Sequence, residues 1–262
     1  MNNNEFFKNK IGIIGAGNIG QALALKLLDK GVKSENLLVS YNGSIFTFSN
    51  LYDNNLVDNI ADNSKIVEEC DIIILSVPPQ KFSQIGEFNI DNNTLIISFM
   101  AGISIDDIKK QTGSENVVKI IPTGPSTIKD ETAIAGAYPQ TDITDFIFDL
   151  LEFDVYNVEN EDDLKYMSVA GCLPAVFTRV KLDENMKDIE KFAENFPEFI
   201  EISKKADKLK ATENTDEFIK LFMTPGGITE AIINSLDEKN SLYNALKAGL
   251  KRNKELNREL EY

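Results

Sequence analysis

Two glycine-bearing turns and one hydroxyl mark where this chain has the residue types for chemistry. Gly15, Gly17 and Gly20 stand in "IGIIGAGNIGQALA" (residues 11–24), between an apolar run and a helix-period segment. In G-x-G-x-x-G the first glycine permits a tight turn, the second lets backbone approach a diphosphate, and the third lets helix pack on strand. Ala16 lies inside the turn, and Asn18 and Ile19 open the helix, whose free N–H groups and positive dipole end attract phosphate. Far downstream, "FMTPGGITEAI" (222–232) offers Thr224 as a helix N-cap and Pro225 at the first helical position. Gly226 and Gly227 carry no side chains, so a small anion such as a carboxylate can reach the first-turn amides, Ile228 included. Thr229 then sets a hydroxyl just above that turn. An unliganded corner and an ordinary capped helix are the plain structural alternatives to these two sites.

The choice between NAD and NADP turns on the second strand. It ends in "LLVSYNGS" (37–44), with no acid to hold ribose hydroxyls, which counts against NAD. No Lys or Arg occurs between Lys33 and Lys65 to hold a 2′-phosphate. Ser40, Asn42 and Ser44 would have to hold it by neutral hydrogen bonds; NADP leads, with NAD as the alternative.

The 262 residues contain no histidine. That removes histidine general acid–base catalysis, Ser-His and Cys-His nucleophiles and histidine-containing zinc sites. Proton chemistry must come from hydroxyls, carboxylates, Lys, Cys, Tyr or water. The two cysteines, Cys70 and Cys172, are too few for a disulfide framework and suit a reducing compartment. Cys172 reads as a small core residue, with a reactive thiol as the alternative. A net charge of −15 argues against nucleic acid as partner. The polar start "MNNNEFFKNK" and the lack of a long apolar run predict a cytoplasmic protein without a membrane span.

The elements that must position these residues alternate between strand and helix in the first part of the chain. "KIGIIGAG", "ENLLVSY", "DIIILSVPP", "NTLIISFMAG", "ENVVKIIPT", "ETAIAGAYP" and "FDVYNVEN" read as strands of a helix-covered parallel sheet. "NIGQALALKLLDKG", "SKIVEEC", "SIDDIKKQTG" and "TDITDFIFDLL" read as helices between them. From about Glu159 only long, charged, helix-period segments follow, ending in "LKAGLKRNKELNREL". The expected architecture is α/β: a doubly wound dinucleotide-binding domain over 1–158, then an all-helical substrate and dimerisation domain over 159–262. A helical unit of that size has little surface to bury alone, so packing on the first domain or on a second subunit is expected.

Taken together, these stretches resemble pyrroline-5-carboxylate reductase along nearly the whole chain. "IGIIGAGNIGQALA" is similar to that family's cofactor turn, and Asn63 matches an asparagine that contacts the cofactor ribose. "SVPPQ" (76–80) resembles A-V-K-P-Q, and "ISFMAGIS" (97–104) resembles a strand ending in A-A-G. The resemblance therefore implies that Ser76, Val77, Pro78, Ala101 and Gly102 lie along the cofactor. "VVKIIPTGPS" (117–126) resembles M-P-N-T-P, "AGCLPA" (170–175) stands at S-G-S-G-P-A, and "TPGGITEAIINSLDE" (224–238) resembles S-P-G-G-T-T. It further implies hydride transfer from NAD(P)H to the C=N carbon of 1-pyrroline-5-carboxylate, giving L-proline. The carboxylate would sit on the loop around Thr224, Gly226, Gly227 and Ile228 beside Cys172, and Thr229 would hydrogen-bond the ring nitrogen and assist its protonation. A homodimer or higher homo-oligomer is implied as well.

The departures are Pro78 for a lysine, Thr123 and Gly124 for Asn-Thr, and Ala170, Cys172 and Leu173 within the S-G-S-G segment. Leu173 is expected to crowd the substrate pocket. These changes leave two alternatives: a reductase of a different cyclic imine or keto substrate, and a non-catalytic NADP-binding regulator. β-Hydroxyacid dehydrogenases rank lower, because "AGCLPAVFTRVK" lacks their spacing from a glycine-rich helix start to a catalytic lysine.

Overall fold

The computed structural model describes residues 6–86, 88, 90 and 94–258. Seven strands form one sheet: β1 Ile11–Ile14, β2 Leu37–Ser40, β3 Ile72–Leu75, β4 Leu95–Ser98, β5 Val117–Pro122, β6 Ile134–Tyr138 and β7 Asp154–Asn157. Their order is β2-β1-β3-β4-β5-β6-β7. The short continuous Ile/Leu/Val runs of β1, β3 and β4 are buried throughout, as a sheet covered on both faces requires. β1 pairs in parallel with β2 on one side and β3 on the other, Ile11 facing Leu37 and Ile72. The chain direction of winding therefore reverses beside β1, at the point where doubly wound sheets open a crevice.

A parallel sheet was expected throughout, and the last two strands, β6 and β7, run opposite to the other five. β6 is antiparallel to β5, with Ile120 opposite Ala137. The connection from Pro122 to Ile134 holds only the short helix α5, Pro125–Lys129, too little chain for a crossover.

The covering helices are α1 Asn18–Asp29, α2 Ile45–Asp53, α3 Asn63–Glu69, α4 Ile105–Thr112 and α6 Asp142–Leu151. α4 begins on Ser104, whose side chain accepts from Asp107 N, and stops at Gly113 in the left-handed region. α2 is absent from the sequence reading, although Ser44 caps it by accepting from Thr47 N.

Beyond β7 the described chain is helical only: α7 Leu164–Ala170, α8 Leu173–Val176, α9 Met186–Phe192, α10 Phe199–Asp207, α11 Thr215–Phe222, α12 Ile228–Asp237 and α13 Leu242–Arg258. The expected long helices are broken into short ones, at Gly171–Cys172 before Pro174 and again around Pro197. The far end of the last helical segment, 259–260, lies outside the described residues. Ile121, Ile134 and Tyr156 of the sheet share one buried cluster with Leu173, Val176, Phe199, Ile232 and Leu246 of the helices. Among the described residues no helix is long and apolar enough to cross a membrane.

Candidate functional site

The carboxyl ends of β1, β3, β4 and β5 all deliver loops into one cavity of about 350 Å³, whose other wall is made by α11 and the start of α12. Gly17 and Gly227 both line it. The two glycine turns, far apart in the chain, therefore face a shared cleft.

The turns are built alike. Gly15 has φ +104° and Gly226 φ +68°, a region open to glycine at little cost. Gly17 and Gly227 are the N-caps of α1 and α12; both are extended, and neither helix has a side-chain cap. Two helix starts with uncapped amides and positive dipole ends thus point into one space. Gly15 N and Ala16 N donate to Ser40 O at 3.2 and 2.7 Å, and Ser76 Oγ donates to Gly15 O at 2.9 Å, which locks the first turn. A Cβ on Gly20 would collide with Gly15 O and come within 2.8 Å of Ser76 Oγ. A Cβ on Gly17 would meet no protein atom within 4 Å. That space is the cradle a diphosphate needs, so the residues present fit a dinucleotide.

Of the sequence-derived site residues, Gly17, Asn18, Ile19, Ser76, Val77, Pro78, Ala101, Cys172, Thr224, Gly227, Ile228 and Thr229 line the cavity. Several others do not, each for a physical reason. Ser40 is buried and its hydroxyl donates to Asn63 Oδ1 at 2.6 Å, while Asn63 Nδ2 donates to Ile85 O at 3.3 Å. The Ser40 hydroxyl expected at a 2′-phosphate is thus used inside the protein. Gly102, φ +77°, is a packing position: a Cβ there would lie 2.8 Å from Asn253 O on α13.

The second turn also differs from expectation. α12 starts at Ile228, not at Pro225, and Thr224 accepts Gly227 N at 2.8 Å through its backbone oxygen instead of capping with its side chain. Gly226 N donates to Glu230 Oε2 at 2.7 Å, so the loop's own carboxylate holds that amide. Among the described residues, the first-turn amides left without an acceptor include those of Ile228 and Thr229. Gly226 O accepts from Gln80 Nε2 at 2.8 Å and Arg252 Nε at 2.6 Å, which clamps the loop between the β3 loop and α13.

Leu173 does not crowd the cleft. It is fully buried in the helical core and is not part of the cavity lining. Gly124, a departure from the family pattern, makes room for the Phe222 ring, which a Cβ would overlap. Thr123 bonds Thr127 Oγ1 at 2.7 Å and accepts Ile134 N at 3.0 Å, so it serves the β5–β6 connection. Burial pushes the Cys172 thiol up to about 12, the pKa of an inert structural thiol.

The sequence reading missed Gln21, Phe46, Thr47 and Asn50 in the lining, the last three from α2. Phe46 is 71% exposed at the mouth. The signal was available in Ser44 followed by "IFTFSNLYD", a capped apolar–polar alternation with helical spacing.

Comparison with known proteins agrees with this geometry. Residues 10–102 match the family described as NADP oxidoreductase, coenzyme F420-dependent. The chain is 29% identical over 176 residues to the pyrroline-5-carboxylate reductase of Corynebacterium melassecola, covering 63% of this chain and 65% of that protein. The chain spans between 42% and 65% of the length of the first curated relatives it matches. In structure it is similar to 1-pyrroline-5-carboxylate reductase from Streptococcus pyogenes, with TM-score 0.61, 19% identity and coverage of 94% and 98% of the two chains. Pyrroline carboxylate reductase from Plasmodium falciparum, a structure with NADP bound, gives TM-score 0.57, 19% identity and coverage of 95% and 98%. The fold is a Rossmann-type sheet with a helical C-terminal part, similar to that of NAD(P)-dependent oxidoreductases, with NAD(P) as the cofactor of the glycine turn. Within that class the chain is similar to pyrroline-5-carboxylate reductases, at 29% identity over 176 residues.

Proposed function

We propose that this chain is an NAD(P)H-dependent imine reductase that converts 1-pyrroline-5-carboxylate to L-proline. The observation that supports the reading most is the shared cleft between the Gly15–Gly17 and Gly226–Gly227 turns. The amides of Asn18 and Ile19 would hold the diphosphate at the start of α1. Those of Ile228 and Thr229 would hold the substrate carboxylate at the start of α12. Val77, Pro78 and Ala101 would wall the nicotinamide, and bound NAD(P)H supplies the hydride. The chain's part is then alignment and exclusion of water by Phe99, Met100, Ile121 and Leu221 in the lining. NADP leads over NAD on the strand-end residues, with backbone amides and the Asn42–Ser44 loop at the 2′-phosphate. Residues 1–158 and 159–262 act as the two sides of the cleft, and a homodimer through the helical side is the expected assembly, to be read by light scattering.

The assay is the loss of reduced-nicotinamide absorbance when pure protein meets NADPH or NADH and pyrroline-5-carboxylate. Turnover supports the reading; binding of NADPH without turnover on any imine leaves the non-catalytic regulator instead. Replacing Thr229 by Ala should lower kcat at least tenfold while NADPH affinity changes by less than about threefold. A second reading, reduction of an imine lacking the carboxylate, is favoured by Glu230 at the Gly226 amide, and 1-pyrroline in the same assay tests it.

A further inference from the structure

Thr229 sits in the cavity wall, 5% exposed. Its Oγ1 donates to Cys172 Sγ at 3.1 Å, and Sγ donates onward to Ser168 O at 3.3 Å. A carbonyl oxygen only accepts, so it fixes the direction of this relay: the thiol hydrogen goes to Ser168, and the sulfur receives the Thr229 hydrogen. The hydroxyl turns lone pairs to the cavity and no hydrogen. Burial keeps the thiol protonated at neutral pH, so the direction persists.

No other side chain in the lining is a titratable acid. Among the described residues that line the cavity there is no Asp, Glu, Lys, Arg or Tyr. Glu230 on α12 and Arg252 on α13 are engaged at Gly226 and do not line it. Ser76 and Ser168 give their hydrogens to Gly15 O and Leu164 O, and the remaining lining hydroxyls, those of Thr47 and Thr224, are neutral alcohols and not titratable acids.

We infer that this cleft accepts a hydrogen from the substrate's ring atom at Thr229 Oγ1 and holds no titratable acid beside it, so its substrate class is a cyclic iminium already protonated at nitrogen, with Cys172 as the positioning residue that holds Thr229 as an acceptor. The inference rests on the reductase reading and narrows it. Reduction of such a cation places a hydride, two electrons and one hydrogen, on the imine carbon. The C=N π pair becomes the nitrogen lone pair, the N–H is kept, and the dinucleotide is left oxidised. The product is a neutral secondary amine that takes its second proton from water on release. A ketone in the same place would end as an alkoxide and need a proton that this lining has no acid group to give. The expected contribution of Thr229 to proton delivery is thereby replaced by recognition of a proton already present.

The test uses protein saturated with NADP⁺ and two ring probes of one shape, followed by calorimetry. Proline presents a ring NH₂⁺ donor; tetrahydrofuran-2-carboxylate presents only an acceptor oxygen. Wild type should bind proline at least tenfold tighter, and Thr229→Val should weaken proline alone. Cys172→Ala frees the hydroxyl hydrogen to turn inward and should strengthen the oxygen ring about tenfold, whereas Cys172→Ser keeps the wild-type preference. Equal binding of both probes by wild type, or an unchanged preference in Cys172→Ala, overturns the inference while the reductase reading stands. Binding of neither probe, together with no oxidation of NADPH by any imine, removes the reductase reading and the inference with it.

Discussion

Gly17 and Gly20, to which the motif assigns different tasks, have different surroundings in space. At Gly17 an added Cβ enters the cradle and touches no protein; at Gly20 it strikes the backbone of the turn. Gly17→Ala should therefore change stability by less than about 0.5 kcal/mol yet weaken NADPH at least tenfold. Gly20→Ala should destabilise by about 1–3 kcal/mol through overpacking. Thermal melts and a nucleotide titration on the pair separate the two effects; equal losses of stability would contradict the assignment of the cradle. The cysteines give a second test at this scale. Burial pushes Cys70 and Cys172 both up to about 12. At pH 8 about one thiol in ten thousand is then ionised, so the native protein should resist a thiol reagent and the unfolded chain should take up two equivalents. Rapid native-state labelling mapped to Cys172 would contradict its reading as an inert structural thiol.

Among the elements, the β4–α4 loop reaches the cavity through Phe99–Ala101 and is held from beneath by Lys119 on β5. Lys119 Nζ bonds Ile103 O and, at 3.0 Å, Glu161 Oε1, which also accepts Ile105 N at 2.8 Å. Lys119 is buried and Glu161 is 28% exposed on its side chain. Lys119→Met should cost about 2 kcal/mol, below the range for a fully buried pair because Glu161 keeps some water. Burial lowers the Lys119 pKa from 10.5, against the raising effect of Glu161. The unfolded chain then binds more protons than the folded one between the lowered value and 10.5. Stability contributed by this group rises with pH across that window, and Lys119→Met should lack the rise. Denaturant melts of both proteins from pH 8 to 10.5 read the difference; parallel curves would mean that Lys119 titrates normally.

For the molecule as a whole, the buried cluster that joins Ile121, Ile134 and Tyr156 to the helices makes the two halves interdependent. One cooperative thermal transition is expected, not two. NADPH at one hundred times its Kd should add about 2.7 kcal/mol and raise the melting temperature by roughly 5–10 °C. Because the start of α12 lines the same cleft as the glycine turn at α1, hydrogen exchange on NADPH binding should slow at the start of α12 as well as at α1. Protection confined to residues 1–158 would separate the second turn from the cofactor.

Local rules reached far into this chain. The apolar runs of β1, β3 and β4, the Ser104 and Gly113 boundaries of α4, and the strand–glycine–helix order around Gly15 depend on neighbours within a few residues, and they were legible without coordinates. So was the likeness of the "TPGG" stretch to an anion-binding helix start. Other features depend on contacts between distant residues. Whether Leu173 enters the pocket or the core follows from which face of a four-residue helix meets the bundle. That Glu230 takes the Gly226 amide, that Ser40 spends its hydroxyl on Asn63, and that Cys172 turns the Thr229 hydrogen away from the cleft are decided by side chains meeting across turns or helices. Sequence determined the presence of two anion-seeking turns, because a turn's backbone freedom is a property of its own glycines. Tertiary structure alone decided that they share a cleft and which of their hydrogens are left over, because packing assigns each polar hydrogen to a partner that local sequence cannot see.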